Sequence, residues 1–131
     1  FPYTTLFRSD FKPEHIALTD ADIFVIAPAS ANTISKISNG ICDNLLLSTA
    51  CAFRNPILIA PAMNDNMWNN MIIQENISKL KKAGCYIIEP SSGFLACGYE
   101  GKGRLCELGK IFDETIMTLI PHPMREREEF I

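Results

Sequence analysis

The sequence predicts an α/β fold in which a parallel sheet is covered by helices on both faces. Three observations predict it. Short apolar, β-rich runs recur along the chain, helical patterns separate them, and a proline ends each run. In such sheets, ligands bind outside the carboxyl ends of the strands. The segments that follow the prolines are therefore where function is expected.

The first run is Ile23–Ala27 (IFVIA), stopped by Pro28 and read as a buried parallel strand. Small and capping residues follow, Ala29 to Thr33. A helical pattern begins at Ile34 and ends near Asn39-Gly40. Asp43 is the expected cap of a second helix, which runs through Leu45, Leu46 and Leu47 towards Phe53. Pro56 opens the second strand, Ile57–Ala60, and Pro61 closes it. A helical turn is expected over residues 66–71. Gln74–Lys82 has the spacing of an amphipathic helix, with Ile77 and Leu80 inward, three lysines outward and Gly84 as its stop. Cys85–Glu89 reads as the third strand, ended by Pro90. Gly93–Gly103 reads as a glycine-rich loop without a period, and Phe112–Ile120 as the last helix.

Both ends differ from this pattern. Phe1–Ser9 (FPYTTLFRS) matches a translated sequencing adapter and is expected to lie outside the fold. The domain is predicted over residues 10–120. Residues 121–131 read as a charged, solvated tail or the start of a linker, with His122 exposed.

Composition limits the function classes. The chain has 131 residues, fits one domain, and at 47% hydrophobic residues can bury a core. A formal charge of −3 disfavours a nucleic-acid binder. Apolar runs fall well short of a bilayer span, and the first residues lack the order of a signal peptide. The five cysteines are odd in number and irregular in spacing, without a C-x-x-C pair. That pattern argues against a disulfide framework and against a structural zinc site, and predicts mostly buried, inert thiols in a reducing cytoplasm.

Three strand-end segments carry candidate chemistry. APASANT (27–33) brings backbone N–H groups, the Ser30 and Thr33 hydroxyls and the Asn32 amide to a helix start. This suits a phosphate or a polar ring edge, and it also suits a plain N-cap. APAMNDNMW (60–68) places Asn64 where its amide can hold a carboxylate. Its Met63, Met67 and Trp68 suit a core better than a ligand wall. SGFLACGYEGKGRL (92–105) has the composition of a flap, and it carries Cys97 within reach of a ligand. His15, ahead of the first strand, has the side chain of a near-neutral acid–base group.

PASANT (28–33), PAMNDNMW (61–68) and LACGYEGKGRL (95–105) stand in the order and spacing of a known family, and HIALTDAD (15–22) precedes them suitably. Together they resemble the homo-oligomeric flavin-containing cysteine decarboxylases. Asp43-Asn44 and the GKGRL ending are most similar to members acting on phosphopantothenoylcysteine.

The resemblance implies a flavodoxin-like or Rossmann-like three-layer sandwich whose first strands are missing here, FMN as cofactor, and no metal. It implies FMN-dependent decarboxylation of 4'-phosphopantothenoylcysteine, a small-molecule substrate, in cytoplasmic coenzyme A biosynthesis. The partners it implies are further copies of the chain, as a trimer or a dodecamer of trimers, without nucleic acid or membrane. By position, Ser30, Ala31, Asn32, Thr33 and Ala62 would contact the cofactor and Asn64 the substrate carboxylate. His15 would act at the reacting cysteinyl group, and Cys97 would donate a proton after CO2 has left. Two alternatives share the motifs: a peptidyl-cysteine decarboxylase, and a non-catalytic flavoprotein-like regulatory subunit. Retention of His15, Asn64 and Cys97 counts against the second.

Overall fold

The computed structural model describes residues 13–94 and 100–120. A short helix, α1 (Glu14–Leu18), leads into β1 (Phe24–Ala29). Helices α2 (Ala31–Ser38) and α3 (Leu45–Ala52) carry the chain to β2 (Ile57–Pro61). Next come α4 (Asp65–Trp68), α5 (Met71–Lys82) and the short β3 (Tyr86–Ile87). A hairpin of β4 (Ser91–Phe94) and β5 (Glu100–Arg104) precedes α6 (Leu108–Leu119).

β2 lies between β1 and β3, and both pairings are parallel. All five of its residues are buried. Successive strand side chains point to opposite faces, so one strand serves two cores. Ile57 and Ile59 join Ile26, Ile34, Trp68, Ile77 and Leu80 on one side. Leu58 and Ala60 join Ile88 and Cys106 on the other, with Leu105 and Ile111 packed against them. The expected α/β architecture with a two-sided parallel sheet is therefore present.

Caps set the helix boundaries, and several differ from expectation. α2 starts three residues early because the Ser30 hydroxyl accepts from the Thr33 N–H. α3 is capped by Asn44, whose Oδ1 accepts from the Leu47 N–H at 2.8 Å, and not by Asp43. Asp43 instead pairs with Lys36 at 2.7 Å. Asn70 caps α5 through the Ile72 and Ile73 N–H groups, so this helix begins at Met71 and not at Gln74. Met71 and Ile72 are exposed, which hides the start from hydrophobic spacing. α6 likewise begins at Leu108, four residues before Phe112, with exposed Leu108 in its first turn.

The strands depart in both directions. β1 continues through Pro28: pairing lapses between Ile26 and Ala29, where proline offers no N–H, and resumes at Ala29↔Pro61. β3 is shorter than Cys85–Glu89. The Cys85 N–H is bonded to the Leu80 carbonyl, as part of the α5 terminus closed by Gly84 at φ +99°. Gly93–Gly103 holds parts of two antiparallel strands rather than a loop without regular structure, with Gly93 opposite Gly101 and Phe94 opposite Glu100.

Ile59 is 0% exposed at the centre of the sheet. Ile59→Ala should cost about 2–5 kcal/mol in denaturant unfolding. A loss below about 1 kcal/mol would contradict the central place given to β2.

Candidate functional site

The carboxyl ends of the strands are joined by backbone hydrogen bonds. The Ala62 N–H donates to the Ala29 carbonyl at 3.0 Å, and the Met63 N–H donates to the Gly103 carbonyl at 2.8 Å. The residues after β2 are thus fixed between the end of β1 and the hairpin. Two glycines permit this approach. A Cβ on Gly103 would lie 2.3 Å from the Met63 carbonyl oxygen, and its φ of +136° suits glycine alone. A Cβ on Gly101 would lie 2.7 Å from the Asp65 carboxyl carbon. Lys102 adds a cation 5.8 Å from the Trp68 ring centroid and an ion pair with Glu89 at 3.2 Å.

Around this junction sit most of the residues singled out by sequence. Ser30 caps α2, and its hydroxyl also donates to Thr33 Oγ1 at 3.2 Å, so the two hydroxyls form one polar rim. Ser30 and Asn32 are exposed, whereas Ala31 is buried against the core. Ala62 is half-buried with its N–H engaged, so its carbonyl and methyl are what it can present to a ligand. Asn64 caps α4: its Oδ1 accepts from the Asn66 N–H at 2.8 Å, which fixes the amide plane. The structure thus brings Ser30, Ala31, Asn32, Thr33, Ala62 and Asn64 to one edge of the sheet.

His15 stands apart. It is half-buried on α1, and α1 packs chiefly on α3. Cys97 and His122 lie outside the described residues. Trp68 is buried in the core, as its size suggested, while Met67 is exposed.

Asp65 was not singled out from the sequence. Its Oδ1 is buried and, among the described residues, has no hydrogen-bond partner. Such an orphan is uncommon in folded proteins. The available signal was an acidic side chain inside an otherwise apolar and amide-rich strand-end motif.

The expectation of mostly buried thiols is corrected for two of them. Cys106 is buried and Cys85 half-buried, but Cys42 and Cys51 are exposed. Both lie around α3, where the opposing face takes up the core contacts. Burial pushes the Cys85 thiol above its ordinary pKa, which suits an inert core position.

The strand-end donor set fits a planar group with a polar edge. Small residues, Ala27, Pro28 and Ala62, border the rim, with the Ser30 and Thr33 hydroxyls and the first-turn amides of α2 beside them. The arrangement depends on the close approach at Gly103. Gly103→Ala should lower stability by about 2 kcal/mol or more, because both the contact and the φ must change. Unfolding within about 0.5 kcal/mol of the parent would show that the junction is looser than described.

Comparison with known proteins gives the family. A family model described as Flavoprotein matches residues 4–120. The coenzyme A biosynthesis bifunctional protein CoaBC of Bacillus subtilis (strain 168) is 51% identical over 108 residues, which is 80% of this chain and 27% of that protein. A solved cysteine-to-serine mutant of PPC decarboxylase, complexed with pantothenoylaminoethenethiol, aligns with a TM-score of 0.82 at 36% identity, covering 88% of this chain and 65% of that one. The FMN binding protein AtHal3 aligns with a TM-score of 0.77 at 37% identity, covering 89% and 65%. The chain therefore spans about a quarter of the Bacillus protein and just under two thirds of each solved relative. With this coverage, its flavodoxin-like α/β fold and its strand-end motifs, the chain belongs to the flavoprotein family.

Proposed function

We propose that this chain is the core of an FMN-dependent carboxy-lyase that converts 4'-phosphopantothenoylcysteine to 4'-phosphopantetheine in coenzyme A biosynthesis. One observation carries the reading. The Ala29–Thr33, Ala62–Asn64 and Gly101–Gly103 segments meet at one sheet edge, joined by the Ala62–Ala29 and Met63–Gly103 hydrogen bonds. The likeness to CoaBC and to the solved PPC decarboxylase supports the substrate. The match to the flavoprotein family and the likeness to AtHal3 support the cofactor.

A cysteinyl carboxylate has no place for the electron pair left behind when CO2 departs. FMN, when bound, supplies the two-electron oxidation of the substrate thiol and the later return of those electrons. The work of the chain is to hold and orient. In this reading the Ser30–Thr33 rim and the first-turn amides of α2 hold the polar edge of the flavin, and the Ala62 methyl leaves room beside it. Asn64 holds the substrate carboxylate through its amide, whose plane the bond from the Asn66 N–H to Oδ1 fixes. His15 exchanges a proton with the reacting cysteinyl group, and Cys97 gives the proton that completes the product.

The reading includes a cytoplasmic homotrimer. Exposed Leu108, Phe112, Ile116 and Leu119 form an apolar stripe along α6, which supports an assembled state. No helix among the described residues is long and apolar enough to cross a membrane.

The test is to incubate the chain with FMN and phosphopantothenoylcysteine and to follow loss of CO2 by mass. Turnover is expected, and Asn64→Asp should lower kcat/KM by ~10²-fold through repulsion of the carboxylate while retaining the bound-flavin absorbance. Flavin binding without decarboxylation of this substrate would overturn the assignment. Sedimentation of the same sample as a monomer would remove the trimer.

A further inference from the structure

The loop between α2 and α3 is held against the helix that follows it. The Ser48 hydroxyl on α3 donates to the Cys42 carbonyl at 3.4 Å. Ser48 and Cys51 are three residues apart, hence on the same face of α3. That hydrogen bond therefore ties the Cys42 backbone to the face of α3 that carries Cys51. On the other side of Cys42, the Lys36–Asp43 ion pair at 2.7 Å anchors the loop to α2. The Cys42 thiol also donates to the Gly40 carbonyl at 3.5 Å. Both thiols are exposed. Interaction with the Cys51 thiol raises the Cys42 pKa above the ordinary thiol value.

We propose that Cys42 and Cys51 are a paired dithiol that closes to an intramolecular disulfide on meeting a low-molecular-weight disulfide such as glutathione disulfide. One cysteine thiolate attacks a glutathione sulfur, the glutathione S–S bond breaks, and the first glutathione thiolate leaves. The second cysteine then attacks the protein sulfur of the mixed disulfide and releases the second glutathione. The two protein thiols are oxidised, one glutathione disulfide is reduced to two thiols, and the two cysteine protons pass to them. The closed bond would pin the α2–α3 loop, which carries Asp43 and Asn44, onto α3. It makes the pair a modification site outside the strand-end cluster and independent of the reaction proposed for that cluster.

Trypsin cleavage after Lys36 and Arg54 releases residues 37–54 with both cysteines on one peptide. The native chain would be treated with glutathione disulfide, blocked with iodoacetamide, digested and weighed. The expected peptide is lighter by two hydrogen atoms and carries neither glutathione nor the blocking group. The Cys42→Ser chain should retain one glutathione on the same peptide. Two blocked thiols in the parent chain, or a glutathione that stays attached as in Cys42→Ser, would overturn the pairing.

Discussion

A pair of backbone hydrogen bonds sets the geometry on which the candidate site depends. The Ala62 N–H reaches the end of β1 and the Met63 N–H reaches the hairpin at Gly103. Between them they turn the residues after β2 into a bridge. Without the bridge, Asn64 and the Ser30–Thr33 rim would be carried by separate flexible connections. With it, Asn64 extends from a strand that is buried along its whole length, and the rim is tied to the end of that strand through Ala29. Precise placement of polar groups requires support of this kind, because hydroxyls and amides on loose loops lose orientation.

The same arrangement explains the composition of the strand ends. Backbones that come within hydrogen-bonding distance leave no room for large side chains. Alanine at positions 29 and 62 and glycine at 101 and 103 answer that constraint, and Gly103 meets it with a backbone angle that other residues resist. Bulk is displaced to the flanks. Trp68 closes the core behind α4, and Lys102 lies over its ring. The glycine-rich segment therefore serves as a docked hairpin at its described ends.

Much of this was legible in the sequence because burial of β2 leaves a plain trace. Ile57–Ala60 is apolar without interruption, as a strand covered on both faces must be. Pro28 and Pro61 lie within one residue of the two strand ends that form the site. Helix starts were harder to read, because caps rest on individual side chains and not on periodicity. Asn44 took the cap expected of its neighbour Asp43, Asn70 opened a helix that hydrophobic spacing had begun at Gln74, and exposed Met71, Ile72 and Leu108 concealed the first turns of α5 and α6. The hairpin was missed because glycines opposite one another give no alternating signal. Asp65 was missed because its burial depends on the hairpin's approach. The neighbourhood of Cys42 and Cys51 was beyond reach because it arises from the way the α2–α3 loop folds over α3.

Amide hydrogen exchange at Ala62 and Met63 tests the central constraint directly. If the bridge is part of the cooperative core, both amides should exchange within about tenfold of the Ile59 amide. Exchange at the rate of an open loop, with Ile59 still protected, would show that the strand ends are not joined and that the site has no fixed frame.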